Sequence, residues 1–415
     1  MNRHALAAAV ATAFSCTGVT AAGAIDDELA AIKARLRQLE QHVHAQNEVI
    51  REKDRQIEAL VSNPRVREQP GQSSGGWFQH VEIGGALEVE AGYNDPDSGG
   101  SSSDISVATA EIGVTAQIND WVAGEITLLY EEDDTDLEVD VAAITIADPD
   151  GPWFVSAGQQ YVPFGTYETN LVSDPLTLEI GETRETAIVG GIESGGFVGG
   201  LYVFNGDLAR RGDDQIDAFG TFAGFSHEGE NHGFAVNLGY ISDIGDADGL
   251  QDTIQDNINT AVVDYDDHVA GVTLDAKVAT GPFMFIAEYT TAVDSFHVNE
   301  LAFKGSGAQP SAFNLEAGYS FTLVGRDATV AVAYQETDEA VALGLPEKRI
   351  AAAISVDVME NTAVSFEWAH DDDYSAADGG TGTSGGDTVT AQGIPDQVGL
   401  HGIIGQSTKW SNGRR

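Results

Sequence analysis

The sequence predicts an all-β transmembrane barrel of about sixteen antiparallel strands, preceded by an N-terminal α-helical coiled coil. Apolar and polar residues alternate with a period of two through most of the chain after Trp77. The connections between these segments alternate between short and long, and aromatic residues gather near both ends of the segments. The 415 residues include 66 acidic and 20 basic side chains, giving a formal charge of -46, which argues against a nucleic-acid partner.

The first 24 residues have the pattern of a secretory signal peptide. Arg3 supplies a basic start, residues 5–14 form an apolar core, and residues 22–24 (Ala-Gly-Ala) form a small-x-small cleavage site. The single cysteine, Cys16, lies inside this segment, so a mature chain would contain no thiol. Lipid attachment at Cys16 is the alternative to simple removal of the segment.

Residues 25–62 carry a heptad repeat that predicts a periplasmic coiled coil. Its two seam positions hold Leu29, Leu36, Val43, Ile50 and Ile57, and Ile32, Leu39, Gln46, Lys53 and Leu60. We expect the chain to self-associate through residues 29–60, with a homotrimer and a two-stranded assembly both open. A lone helix lying on another surface is the alternative. Residues 63–76, rich in Pro, Gly and Ser, are predicted to be a linker.

The region 77–392 is predicted to form the barrel. Its alternating segments are 77–93, 104–118, 121–130, 137–147, 153–161, 185–193, 196–204, 217–227, 232–241, 267–279, 282–293, 311–323, 327–335, 348–358, 362–369 and 387–392. Short turns follow the even-numbered segments, and long acidic loops follow most odd-numbered ones. This is the pattern of an outer-membrane barrel with both ends in the periplasm.

Aromatic residues predict two belts, one at each rim. One belt follows the short turns and the other approaches the long loops, as expected where hydrocarbon meets lipid headgroups. The two sets are Trp121, Trp153, Phe197, Phe234 and Phe283, and Tyr93, Tyr130, Tyr161, Phe204, Tyr240, Tyr289 and Trp368. A soluble β-sandwich is the alternative for the alternating strands.

With apolar residues facing lipid, the polar residues between them should face the interior. A barrel of about sixteen strands is too wide for its side chains to fill, so it should enclose a water-filled channel. The predicted lumen-lining residues are His80, Glu82, Glu88, Glu90, Glu111, Glu125, Asp275, Lys277, Glu288, Asn314, Glu316 and Glu367. Such carboxylates favour cations and neutral polar solutes. Alternatively, the acidity belongs to solvated outer loops or reflects a salty habitat.

One loop, after the fifth predicted strand, is expected to narrow the channel. Residues 162–184 contain several apolar side chains, so the loop should not remain free in water. We expect it to fold into the barrel, and packing on the outer rim or against a neighbouring barrel is the alternative. The candidate constriction residues are Glu168, Asp174, Glu179, Glu182 and Arg184.

The segment 158–165 (GQQYVPFG), continued by 173–185 (SDPLTLEIGETRE), resembles the LbtU family of outer-membrane siderophore porins. The order of signal peptide, coiled coil, linker and barrel is also similar to that family. The resemblance implies a sixteen-stranded barrel with a periplasmic helical extension, which admits a ferric siderophore by TonB-independent diffusion. A general cation-preferring porin without a dedicated substrate is the alternative.

The C-terminal sequence does not determine how the last strand pairs with the first. A last strand starts at residues 387–392, but Gly393, Ile394 and Pro395 interrupt it, so residues 393–415 are predicted to be an irregular tail. Either the tail is genuine or a reading-frame error near Gln392 has replaced the natural ending.

No catalytic residue, cofactor or metal site is expected. Two G-x-S-x-G sequences occur, at 71–75 and 382–386, but they fall in the linker and in an outer loop rather than at a strand-turn-helix elbow. The histidines are scattered and lack the spacing of a zinc site. The protein is therefore predicted not to be an enzyme.

Overall fold

The computed structural model describes residues 80–132, 135–208, 215–265, 267–380 and 385–394. The predicted signal peptide, coiled coil and linker lie outside these residues, as does the C-terminal segment from residue 395 onward. Among the described residues, no helix has the length and apolarity needed to cross a membrane.

Sixteen antiparallel strands, each paired with its neighbours in sequence, close into one barrel. This confirms the predicted strand number. The strands are β1 His80–Pro96, β2 Ser102–Gln117, β3 Val122–Glu131, β4 Thr135–Ala147, β5 Trp153–Tyr161, β6 Arg184–Ser194, β7 Phe197–Phe204, β8 Ala218–Glu228, β9 His232–Ile241, β10 Gly271–Thr280, β11 Phe283–Ala292, β12 Ser311–Leu323, β13 Arg326–Asp338, β14 Lys348–Met359, β15 Thr362–Asp372 and β16 Gly386–Ile394.

The seam between the first and last strands is closed. Strand β16 pairs with β1 from the Val89–Gly393 partners to the Pro96–Gly386 partners. Across the seam, the side-chain amide of Gln392 donates to the carboxylate of Glu88 at 3.1 Å and to that of Glu90 at 2.8 Å. The prediction that the last strand ends at Gln392 is wrong by two residues, because the backbone of Gly393 and Ile394 continues the ladder to β15.

The outer surface of the barrel is apolar, because the alternating pattern turns large side chains such as Ile83, Ile105 and Leu201 outward. Exposure reaches 73% at Ile105, which suits contact with hydrocarbon rather than with water. At the short-turn rim, ring centroids lie 5.7 Å apart for Trp121–Trp153, 5.9 Å for Phe225–Phe234 and 5.0 Å for Phe283–Tyr319.

One residue predicted for the long-loop belt does not belong to it. Phe204 is only 1% exposed and packs inside, stacked on Tyr202 with 6.0 Å between ring centroids. It lies where the long loops fold inward, so an apolar ring there gains more from loop contacts than from lipid. Tyr161 is 40% exposed, close to the 43% of Tyr289 and Trp368, while its hydroxyl donates to Asp140 at 2.9 Å.

The long loops fold together and build an apolar core at their rim of the barrel. They contain helix α1 (Leu178–Gly181), helix α2 (Asp248–Ala261), two 3₁₀ turns (Ile244–Asp246 and Val341–Leu343) and a hairpin of Ala302–Phe303 with Ser306–Gly307. Leu250, Ile254 and Ile258 recur every fourth residue, so α2 has one apolar face, and all three are buried in this core. The loops thereby occupy part of the barrel interior.

Gly158 in β5 takes a backbone conformation that other residues rarely adopt, with φ at +140°. A Cβ there would also collide with the backbone of Ala142 on β4. We expect Gly158→Val to destabilise the barrel by on the order of 1–3 kcal/mol or more, which lowers the folded fraction after refolding. The shift in gel mobility between unheated and boiled samples measures that fraction.

Gly92→Val is the matched control, because this strand glycine has open space where a side chain would stand. Equal folded fractions for the two variants would contradict the assigned role of Gly158.

Candidate channel constriction

Residues 162–183, here called the inner loop, leave the wall after β5 and return to it at β6. The two ends are held together by the Val162 amide, which donates to the Thr183 carbonyl at 2.9 Å. Phe164 and Leu176 are buried within the loop core. Burial of these apolar residues, together with the wall contacts described next, holds the loop inside the barrel.

The inner loop is fastened to acidic side chains of the distant wall. The Thr166 hydroxyl donates to Asp275 on β10 at 2.9 Å, and the Thr177 hydroxyl donates to Glu288 on β11 at 2.8 Å. Glu168 forms an ion pair with Lys277 on β10. Hydrogen bonds to carboxylates are stronger than those between neutral groups, so each anchor contributes substantially.

Three further anchors follow along the loop. The Thr169 hydroxyl donates to Glu316 on β12 at 2.7 Å, and the backbone amide of Asn170 donates to the same carboxylate at 2.9 Å. The Ser173 hydroxyl donates to Glu367 on β15 at 2.6 Å. The Leu176 amide donates to the side-chain oxygen of Gln335 on β13 at 3.0 Å. The loop therefore spans the interior from β10 to β15.

This arrangement corrects the predicted role of one group of lumen-lining residues. They are inward-facing residues of β10–β12 and β15, but the inner loop covers them, and all except Lys277 are at most 5% exposed. The group comprises Asp275, Lys277, Glu288, Asn314, Glu316 and Glu367. Most of them hold the loop rather than border open water. Its hydroxyl and amide groups donate to one carboxylate oxygen each of Asp275 and Glu288, and to both oxygens of Glu316 and Glu367.

The remaining lumen-lining candidates lie on the opposite wall. Glu88 and Glu90 on β1, Glu111 on β2 and Glu125 on β3 are half-buried, while Glu82 is exposed. His80 begins β1, and its side chain lies outside the described part of the structure. The barrel thus has one wall covered by the inner loop and another wall with partly exposed carboxylates.

Between the inner loop, helix α2 and strands β3–β6 lies a cavity of about 630 Å³, here called the acidic cavity. Asp174, Glu179, Glu182 and Arg184 line it, whereas Glu168 lies apart at a second, smaller cavity. The sequence did not single out the other charged lining residues, which are Glu131, Glu138, Glu185, Asp207, Asp248 and Asp252.

Among the described residues that line the acidic cavity, Arg184 is the single basic one. Its guanidinium contacts Glu138 at 2.6 Å and Asp140 at 3.2 Å, so its charge is matched within the wall. Its backbone amide donates to Asp248, the first residue of α2, at 3.2 Å. The lining residues that the structure describes therefore keep a negative surplus.

Crowding of carboxylates changes their titration. Enclosure, followed by the nearby Asp248, Asp174, Asp140 and Glu179, raises the pKa of Glu182 to about 8. Burial raises the pKa of Asp248 to about 6, and Arg184 partly opposes this rise. The negative charge of the cavity should therefore increase with pH across the neutral range.

Comparison with known proteins places the chain in a family. It is 30% identical over 319 residues to a UPF0422 protein of Coxiella burnetii (strain RSA 493 / Nine Mile phase I), covering 73% of this chain and 67% of that protein. The chain belongs to the UPF0422 family. A UPF0422 protein of Legionella pneumophila (strain Lens) is also 30% identical, and this UPF0422 chain spans 59% of its length. No family model matches the chain.

Solved structures that resemble this UPF0422 protein are porins and an outer-membrane channel. An anion-selective porin from Comamonas acidovorans matches 77% of the chain with a TM-score of 0.52 at 12% identity, covering 99% of that structure. The outer membrane channel DcaP of Acinetobacter baumannii matches 77% with 0.50 at 14% identity, covering 97%. Salmonella typhi OmpF matches 77% with 0.53 at 12% identity, covering 97%. The fold is therefore porin-like, and the LbtU resemblance remains a prediction.

Proposed function

We propose that this UPF0422 protein is a passive channel of a bacterial outer membrane that prefers cations and neutral polar solutes. The observation that carries the proposal is the acidic cavity, where carboxylates of the inner loop face carboxylates of the wall and of α2. The porin-like barrel with an apolar outer surface supports the location.

Confinement strengthens the electrostatic effect of the carboxylates in the acidic cavity. Asp174, Glu179 and Glu182 reach into a narrow space whose walls have a low dielectric constant, so the field of each charge is weakly screened. Arg184 does not offset them because Glu138 and Asp140 already pair with it. Cations should be concentrated in such a passage and free anions should be slowed.

We further propose a ferric siderophore as the solute of the channel. A ferric siderophore is suggested by the resemblance of residues 158–185 to siderophore porins, whereas the acidic cavity suggests only a class of charge. A neutral or cationic ferric complex would suit both observations, and an anionic one would be repelled. A general cation-preferring porin without a dedicated substrate is the alternative that the cavity supports equally.

The assembly is also part of the proposal. We propose that the barrel lies in outer-membrane lipid, and that residues 29–60 form a periplasmic coiled coil that joins copies into a homotrimer. The heptad pattern of those residues supports self-association, and analytical ultracentrifugation in detergent of the full chain and of one lacking residues 25–62 would test it.

Reversal potentials in planar bilayers under a KCl gradient test the channel. We expect potassium to be more permeant than chloride. At pH 9, where Glu182 is mostly ionised, D174N/E179Q/E182Q should reduce this preference about twofold or more because three confined charges are removed. The control E360Q changes a carboxylate at the opposite, short-turn rim. Chloride preference in the wild-type protein, or no conductance, would contradict the proposal.

Addition of ferric siderophores of different charge during the same recordings tests the finer proposal. A specific substrate should reduce the current at low concentration, whereas the general porin should show no such block by any carrier.

A further inference from the structure

The acidic cavity contains hydrogen-bond acceptors that the protein does not satisfy. Glu185 is 5% exposed, and its Oε1 atom has no partner within the described part of the chain. The buried Oε1 atom of Gln251 on α2 also has none there. Both residues line the cavity, and buried acceptors are nearly always paired. A molecule bound in the cavity could satisfy these two atoms by donating hydrogen bonds.

The arrangement of the carboxylates favours an organic cation over a metal ion. Among the residues that the structure describes, no group of three or more His, Cys, Asp or Glu side chains is placed to hold a metal. Instead, the acids are spread around the cavity, with Glu182 on the inner loop, Asp252 on α2 and Glu131 on β3. Separate acids suit separate ammonium groups on a flexible chain, because each ammonium pairs with its own carboxylate.

Side chains with apolar surface line the same cavity. Leu129 and Leu178 line the cavity, and so does Tyr161, whose hydroxyl is held by Asp140 at 2.9 Å. Methylene groups between two ammonium groups would contact the leucines, and an ammonium would be attracted to the face of the Tyr161 ring. A volume of about 630 Å³ leaves room for a linear amine with several charges.

We propose that the acidic cavity is a binding site for aliphatic diamines and polyamines. The inference deepens the proposed function, since it names a class of cation that would enter and occupy the channel.

Equilibrium binding tests the site independently of conduction. Isothermal titration calorimetry on the purified full chain in detergent, at physiological salt, would compare spermidine, 1,5-diaminopentane, pentylamine and 1,5-pentanediol. Each additional ammonium adds charge-assisted hydrogen bonds, so we expect affinity to increase about tenfold from monoamine to diamine and again to spermidine. The diol, which has the same methylene chain without charge, should not bind.

Variants identify the site. E182Q and E185Q should each weaken spermidine binding about tenfold, because each replaces a carboxyl group that a bound ammonium can ionise and pair with by an amide that cannot ionise. D252N and D256N form a matched pair on α2, because Asp252 lines the cavity and Asp256 is not among its lining residues. D252N should therefore weaken binding and D256N should not. Gel mobility before and after boiling shows whether each variant is folded. If E185Q does not fold, the binding measurement on E182Q tests the site.

The outcomes separate the two proposals. Cation-selective conductance without binding of any amine would overturn the amine site and leave the channel standing. Amine binding in a protein that conducts no ions would support the site and overturn the channel. Equal affinity for pentylamine and spermidine would overturn the site, because the additional ammonium groups would then have no partners in it. Equal effects of D252N and D256N would also overturn the site, since general attraction to a negative surface explains that result.

Discussion

Replacing residues 166–177 with a Gly-Ser sequence of the same length should increase single-channel conductance about twofold or more, because a sixteen-stranded barrel without an inner loop encloses a wide aqueous lumen. The replacement removes the hydroxyl donors of Thr166, Thr169, Ser173 and Thr177, and it removes the buried side chain of Leu176. The wall carboxylates freed by this change would be hydrated by the wider lumen. Single-channel recording measures the result.

A control replacement of residues 229–231, a short turn between β8 and β9, should leave conductance unchanged because no inner-loop contact involves it. Conductance that is equal in the wild-type protein and the 166–177 variant would show that the inner loop does not limit the current.

Cation preference should rise as pH increases from 6 to 9. The pKa of Glu182 is raised to about 8, so this carboxyl is mostly neutral at pH 6 and mostly ionised at pH 9. Each ionisation adds one negative charge inside the acidic cavity, and the reversal potential under a KCl gradient should shift further toward the potassium value. Asp248, with a pKa of about 6, contributes to the lower part of the same range.

Glu182→Gln should weaken the response between pH 7 and 9, because it removes the inner-loop carboxyl that titrates near pH 8. The groups facing Glu182 are Asp174 and Glu179 on the inner loop, Asp248 on α2 and Asp140 on β4. Glu228→Gln, at the short-turn rim, should leave the response intact. An unchanged pH response in Glu182→Gln would show that other groups control the charge of the passage.

The barrel itself could be predicted from the sequence because its physical cause is local. Lipid surrounds the barrel and its interior is polar, so neighbouring residues of each strand differ in polarity. Phe313 and Asn314 therefore already indicate the lipid-facing and the interior face of their strand. Helix α2 was missed and assigned to a loop, although Leu250, Ile254 and Ile258 repeat every fourth residue. Only three large apolar residues mark this helix, and Asp248, Asp252 and Asp256 lie between or beside them in the sequence.

The contacts of the inner loop could not be predicted, because its partners are distant in the chain. Thr169 and Glu316 are 147 residues apart, and Ser173 and Glu367 are 194 residues apart. The sequence predicted that the loop enters the barrel, but it gave no means to decide which wall the loop covers. For the same reason Glu316 and Glu367 were assigned to open water, and Asp248 was not assigned to the site.

The β1–β16 seam has a consequence for biosynthesis. Any messenger that stops translation before Gly386 would yield a product in which β1 and β15 both present unpaired backbone groups to the bilayer, and each such group costs several kcal/mol in hydrocarbon. Premature termination, even one strand short of the end, should therefore produce a polypeptide that is degraded before insertion rather than a smaller pore.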